Sequence, residues 1–126
     1  MYYPQWRLLT WHPRGLFDDQ MADQVISLIE WEECIEDAQF NRFTDFSGLE
    51  RLDLSIAHLF VIAAHRSEMA ASVKSAFYST TVVGLAFARM YEHLMKEAPI
   101  KVRAFKQLER AAEWLGVPVE ILEAKG

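Results

Sequence analysis

The sequence predicts one α/β domain over residues 1–126, built on a mostly parallel sheet of four to five strands with helices packed mainly on one face, and three observations carry that expectation. Strand-like runs alternate with helical stripes along the chain, as in βαβ units. The links between them are short, with no linker, internal repeat or low-complexity segment. The strands also mix apolar residues with Arg7, Arg42, Lys74, Lys101 and Arg103, whereas a doubly covered parallel sheet reads as near-continuous Val, Ile and Leu. One sheet face is therefore expected to be less covered and open to a dimer or ligand; the plainer reading is that the long cationic stems cover apolar surface with their charges in water.

The elements follow in order. Gln5 to His12 alternates as a strand, with Trp6, Leu8 and Thr10 on one face and Arg7, Leu9 and Trp11 on the other; Pro13-Arg14-Gly15 ends it. Asp18 or Asp19 then caps a helix whose apolar residues Met21, Val25, Leu28, Ile29 and Ile35 keep a 3.6-residue stripe to about Ala38. Phe40 to Phe46 is the second strand. Leu54 to Ala70 is a helix apolar over much of its circumference, started by Asp53 or Ser55. Val73 to Ser79 is the third strand, and Thr80 or Thr81 caps the next helix, with Val83, Phe87, Met90, Tyr91 and Leu94 inward and Pro99 marking its end. Ile100 to Phe105 alternates as the fourth strand. Lys106 to Leu115 is the last long helix, closed by Gly116 and Pro118, and Val119 to Leu122 is too short to assign.

Composition excludes several classes of function. Hydrophobic residues at 52% and charged ones at 25% describe an ordinary globular domain. A net charge of -5 without a Lys/Arg run argues against a nucleic-acid binder that works by neutralising phosphates. The single cysteine, Cys34, allows no intrachain disulfide, which fits a reducing compartment. No basic-plus-apolar leader is seen, and the apolar runs fall short of the ~20 residues that span a bilayer. A soluble cytoplasmic protein with no stable membrane insertion is expected.

The clearest candidate site is the stretch Phe40 to Ala57, read as strand, turn and helix start. Such junctions place carboxylates and hydroxyls beside exposed backbone N–H groups, from which α/β proteins build binding sites. Asp45, Ser47, Asp53 and Ser55 are the candidates there, joined by Ser79, Thr80 and Thr81 at the end of the next strand. With Gly84 in the first turn after it, that second junction can admit an anion. The plainer reading is structural: Asp45 as a turn former, Asp53 and Ser55 as competing N-caps, and the three hydroxyls as caps.

The order of elements, with the Gly15-Leu16-Phe17-Asp18-Asp19 run, Thr44-Asp45-Phe46-Ser47-Gly48-Leu49 and the C-terminal VRAFKQLERAAEWLG, resembles the STAS (anti-sigma-factor antagonist, or SpoIIAA-like) superfamily. It is similar in particular to small bacterial STAS/SEC14-like proteins of largely unassigned function. The family pattern of Asp-Leu-Ser-Gly followed by Asp-Ser-Ser lies on Asp45 to Ser55 without a gap. Leu54 stands where the antagonists carry their phosphorylated serine, and Ser55 is the next hydroxyl. The resemblance implies the fold, a regulatory or protein-interaction role without catalysis, and, through the SEC14-like relatives, the alternative of a carrier for a small apolar ligand or lipid.

The remaining features are weaker. Glu30, Glu32, Glu33, Glu36 and Asp37 crowd the C-terminal half of their helix, against its dipole, and read either as a partner or metal surface or, more plainly, as a solvated charged face. No GxSxG, P-loop, GxGxxG, CxxC or HExxH occurs, so no enzyme, cofactor or metal is expected. His58 and His65 are ~10 Å apart along a helix, too far for one metal unaided. Acids beside Cys34 disfavour its thiolate. Trp11, Phe43, Tyr78 and Phe105 are the candidate interface, through which a homodimer would cover the less protected sheet face.

Overall fold

The computed structural model describes residues 1–35, 39–68 and 72–124. The chain runs β1 (Tyr2–Tyr3), a 3-10 turn (Pro4–Trp6), β2 (Leu8–Trp11), β3 (Gly15–Asp18), α1 (Asp19–Ile35), β4 (Asn41–Asp45), β5 (Leu49–Asp53), α2 (Ile56–Ser67), β6 (Lys74–Tyr78), α3 (Val82–Leu94), β7 (Lys101–Phe105), α4 (Leu108–Leu115) and α5 (Val119–Glu123). Five strands form one sheet in the order β1-β2-β4-β6-β7. Only β1 is antiparallel; Thr10 pairs with Phe43, Phe43 with Ala76 and Ala76 with Arg103 across the parallel strands. The mostly parallel α/β architecture is as the sequence predicts.

Period-two alternation sends the sheet's side chains to two layers. Ala22 and Val25 of α1, Leu59 and Ile62 of α2, and Phe87 and Tyr91 of α3 pack with Trp11, Phe46 and Phe77 on one face. On the other, Leu8, Phe43 and Ala76 pack beneath Ala111, Ala112 and Leu115 of α4 and Leu122 of α5. The expected open face is therefore covered. On this face Lys74 and Arg103 lie over the Trp114 ring, 5.4 and 5.7 Å from its centroid, while Arg42 is buried on the opposite face. Phe43 is wholly buried, and Tyr78 and Phe105 are half-buried against α4. Trp11 packs on the opposite face, so the four expected interface residues form no common surface.

Two further elements differ from the expected ones. The strand expected from Gln5 begins at Leu8, because Pro4 opens a 3-10 turn closed by Arg7 in the left-handed region at φ 45°. The polar link after Gly48 is a strand, β5, whose partner is β3; they form a separate two-stranded parallel ladder with a bulge between Gly15 and Leu16. Helix phases also shift. The inward line of α1 is Ala22, Val25, Ile29 and Glu33, while Leu28 and Ile35 are exposed, as are Val83 and Met90 of α3. The helix ends expected near Ala38 and Ala70 lie outside the described residues.

Trp114 is the hinge pin of the second layer. Its ring meets Phe105 at 5.6 Å, and its carbonyl accepts from Lys74 Nζ at 2.8 Å. Trp114→Ala is expected to lower unfolding free energy by about 3 kcal/mol, the low end for a large aromatic truncation because the ring is only half-buried. Urea melts of the two proteins check this; a loss below about 1 kcal/mol, the level of a surface change, would show that α4 is held elsewhere.

Candidate functional site

The strand ends form a closed hydrogen-bond system. Asp45 Oδ1 accepts from Ser47 N at 2.8 Å, and Ser47 Oγ accepts from Thr80 N at 3.1 Å, tying the ends of β4 and β6 together. Ser79, almost fully buried, accepts from Thr81 N at 3.1 Å and shares a 3.0 Å contact with Thr81 Oγ1, which in turn caps Gly84 N at 3.1 Å. A Cβ on Gly84 would collide with the Ser79 and Thr81 hydroxyl oxygens, so that room is already filled. Asp45, Ser47, Ser79, Thr80 and Thr81 thus lie together, as turn formers and caps.

Asp53 and Ser55 belong to a different junction. Asp53 is exposed at the end of β5, 3.9 Å from Arg51. Ser55 caps α2, accepting from His58 N at 3.1 Å. Asp19 holds it from α1: its carboxylate accepts from Ser55 N at 2.9 Å and from Ser55 Oγ at 3.1 Å, and the backbone hydrogen bond keeps the Asp19 carboxyl below its ordinary range. Asp18 meanwhile caps α1 through Met21 N at 2.9 Å.

The chemically distinctive place lies deeper. Between the sheet and α1, α2 and α3 is a cavity of about 110 Å³, walled by apolar side chains such as Val25, Ile29, Phe46, Leu59, Ile62 and Phe77. Thr44, Ser75 and Tyr91 are among its few polar residues, and its two charged ones are Arg42 and Arg66. Both arginines meet Glu33, which α1 turns inward one helical step after Ile29. Arg66 holds it bidentately, Nη1 to Oε1 at 2.9 Å and Nη2 to Oε2 at 2.7 Å, while Arg42 Nη2 also donates to Oε2. Each of the three is at most 5% exposed.

Burial alone would raise the Glu33 carboxyl; the hydrogen bonds and charges of Arg66 and Arg42 outweigh it and hold the group below its ordinary range. Burial pushes the Arg42 guanidinium down to about 10, Glu33 opposing the change and Arg66 adding to it, so Arg42 is still a cation at neutral pH. For Arg66, burial is overcome by Glu33 and the shift is upward. Burial pushes the Tyr91 hydroxyl up to about 12, against the pull of both arginines.

Sequence reasoning placed Glu33 among the solvated acids; the structure corrects that. Its signal was phase: Glu33 continues the buried line through Val25 and Ile29, as Arg66 continues Leu59, Ile62 and Ala63 on α2. Glu36 and Asp37 lie outside the described residues. Glu30 pairs with His65 at 2.8 Å and Asp23 with His58 at 2.7 Å, so both helix histidines bridge α2 to α1. Among the described residues no group of His, Cys, Asp and Glu side chains has the spacing to hold a metal, and no helix is long and apolar enough to cross a membrane. Cys34 is free and exposed. In comparisons with known proteins, no family model, curated protein or solved structure matches the chain.

Two outcomes are expected. Glu33→Gln leaves two guanidinium groups facing each other without their counter-charge and should cost about 3–5 kcal/mol. Because the Glu33 carboxyl is depressed by folding, its contribution is complete above the ordinary carboxyl value of 4.5 and is lost as pH falls through the lower folded value. Denaturant melts from neutral pH downward should show that acid limb in the parent and a flatter one in Glu33→Gln; equal limbs would refute the assignment. Ser55, engaged as a cap and facing the Asp19 carboxylate, is expected to carry no stoichiometric phosphate in protein taken from its own cells. Phosphopeptide mass spectrometry decides it.

Proposed function

We propose that the protein is a non-enzymatic binding module that takes a small, largely apolar molecule into the cavity beneath α1, α2 and α3. The observation that carries this reading is the cavity itself. Protein interiors are close-packed, with few voids larger than a water molecule, whereas an apolar space of ~150 Å³ is enough to hold benzene. About 110 Å³ of space beside two arginines fits a ligand with a small hydrocarbon part and a polar end. The strand-end hydroxyls, already spent on caps, contribute no comparable space.

A second reading has its own support. Leu28, Trp31 and Ile35 follow one line along α1 and are 64%, 67% and 58% exposed, an apolar stripe of the kind that docks another protein. That stripe suits the regulatory or interaction role that the STAS resemblance implies, and it is a better surface for self-association than the strand aromatics.

Native mass spectrometry of protein purified gently from its own cells separates the two. The expected spectrum shows the chain plus a small added mass that dissociates on activation. A retained second copy or other subunit without a small ligand would favour the α1 stripe. A bare chain, together with unmoved Leu59 and Ile62 methyl resonances when 1-hexanol is added, would overturn the cavity reading.

A further inference from the structure

The sheet beneath the cavity carries a hydroxyl without a partner. Ser75 stands on β6, inside the sheet, level with Arg42 on β4 and Val102 on β7. Alternation along β6 turns it the same way as Phe77, toward α1, α2 and α3, and it lines the cavity. Ser75 is 7% exposed, yet its hydroxyl makes no hydrogen bond to any described residue. Among the described residues, the one unpartnered side-chain nitrogen or oxygen that is sealed from open space is Arg42 Nε. Ser75 Oγ therefore borders open space, and at this depth in the sheet that space is the cavity. Thr44, also 7% exposed and unpartnered, is the second such hydroxyl, but it borders a further space between β2 and α1 as well.

A buried hydroxyl left unpaired is costly, and it can take either role, donating one hydrogen bond and accepting others. A lone water is a poor occupant, because a buried water holds two to four polar partners and this wall is mostly apolar. The charged part of the wall is engaged elsewhere: both Nη atoms of Arg66 and Nη2 of Arg42 donate to Glu33, and Arg42 Nη1 donates to the Phe40 carbonyl at 3.0 Å. A carboxylate would give up its hydration for this largely apolar space, whereas a neutral oxygen loses far less. By size, the space suits about five carbon atoms, since ~150 Å³ holds the six of benzene.

We infer that the cavity binds a small neutral alcohol or ketone, its single oxygen hydrogen-bonded to the Ser75 hydroxyl and its hydrocarbon part lying among the apolar side chains. This rests on the cavity being a binding site, and the experiment keeps the two apart by comparing cyclopentanol with cyclopentane, which has no oxygen, and with cyclopentanecarboxylate. Titrations at pH 7 are followed through the Leu59 and Ile62 methyl resonances. Cyclopentanol is expected to bind at least tenfold more tightly than the carboxylate. In Ser75→Ala its affinity should fall about fivefold, the scale of one neutral hydrogen bond, while cyclopentane binds as before. In the parent protein, nuclear Overhauser contacts should join the oxygen-bearing CH of cyclopentanol to the Ser75 β protons, and these decide the matter if the variant does not fold. Unchanged cyclopentanol affinity in Ser75→Ala, a loss in Thr44→Val instead, absence of those contacts, or equally tight binding of the carboxylate overturns the inference and leaves the cavity reading standing; binding of none of the three probes overturns both.

Discussion

The Glu33 carboxylate is the constraint on which the rest of this structure depends. It joins α1 to α2 through Arg66 and to β4, the middle strand of the sheet, through Arg42. Charges at this depth persist only when paired and hydrogen-bonded, so α1, α2 and β4 have little freedom to slide against one another. A bidentate fork adds a directional constraint that apolar packing does not. The three residues therefore fix the phase of both helices over the sheet.

The same seam continues outward. Asp19 with Ser55, Asp23 with His58, Glu30 with His65 and Glu33 with Arg66 advance together along the two helices, so α1 and α2 run in the same direction with a polar zipper between them. Helices joined by long polar side chains do not interdigitate as closely as helices joined by ridges of small apolar ones. That spacing is consistent with a cavity lined from both. The sheet ends, where α/β proteins commonly bind ligands, are here filled by the Asp45, Ser47, Ser79 and Thr81 hydrogen bonds and by the β3–β5 ladder. The cavity accordingly lies in the layer behind the strand ends.

Much of this was legible in the residues. Alternation in Phe40–Phe46 and Ile100–Phe105, the caps at Asp18, Ser55 and Thr81, and Gly116 in the left-handed region are local signals with local causes. The β3–β5 ladder was not, because Leu49 and Leu52 are spaced by three, and the partner segment lies far away in sequence behind a bulge. Coverage of the second face was also hidden. Lys74 and Arg103 are exposed, as cations in strands suggest, yet their charged ends also lie over the Trp114 ring that covers this face, a contact that composition does not reveal. The charged triad needed the phase of two helices and one strand at once. Each residue taken singly looks like a surface charge.

A buried ion cluster of this kind is weak evidence for stability, since apolar residues of the same volume often serve as well or better. Its retention calls for another reason, and the structure offers one in the register of the elements it joins. Glu33 and Arg66 alone would set the register between α1 and α2, as a neutral bidentate pair. Arg42 extends that register to β4: its Nη2 donates to the Glu33 oxygen that also accepts from Arg66, and its Nη1 donates to the Phe40 carbonyl. The guanidinium does rest on the Phe40 ring at 4.5 Å, a contact that a well-packed apolar side chain could also make. Register between α1, α2 and β4 thus accounts for all three charges, and the Arg42 Nε left without an acceptor is what that arrangement costs.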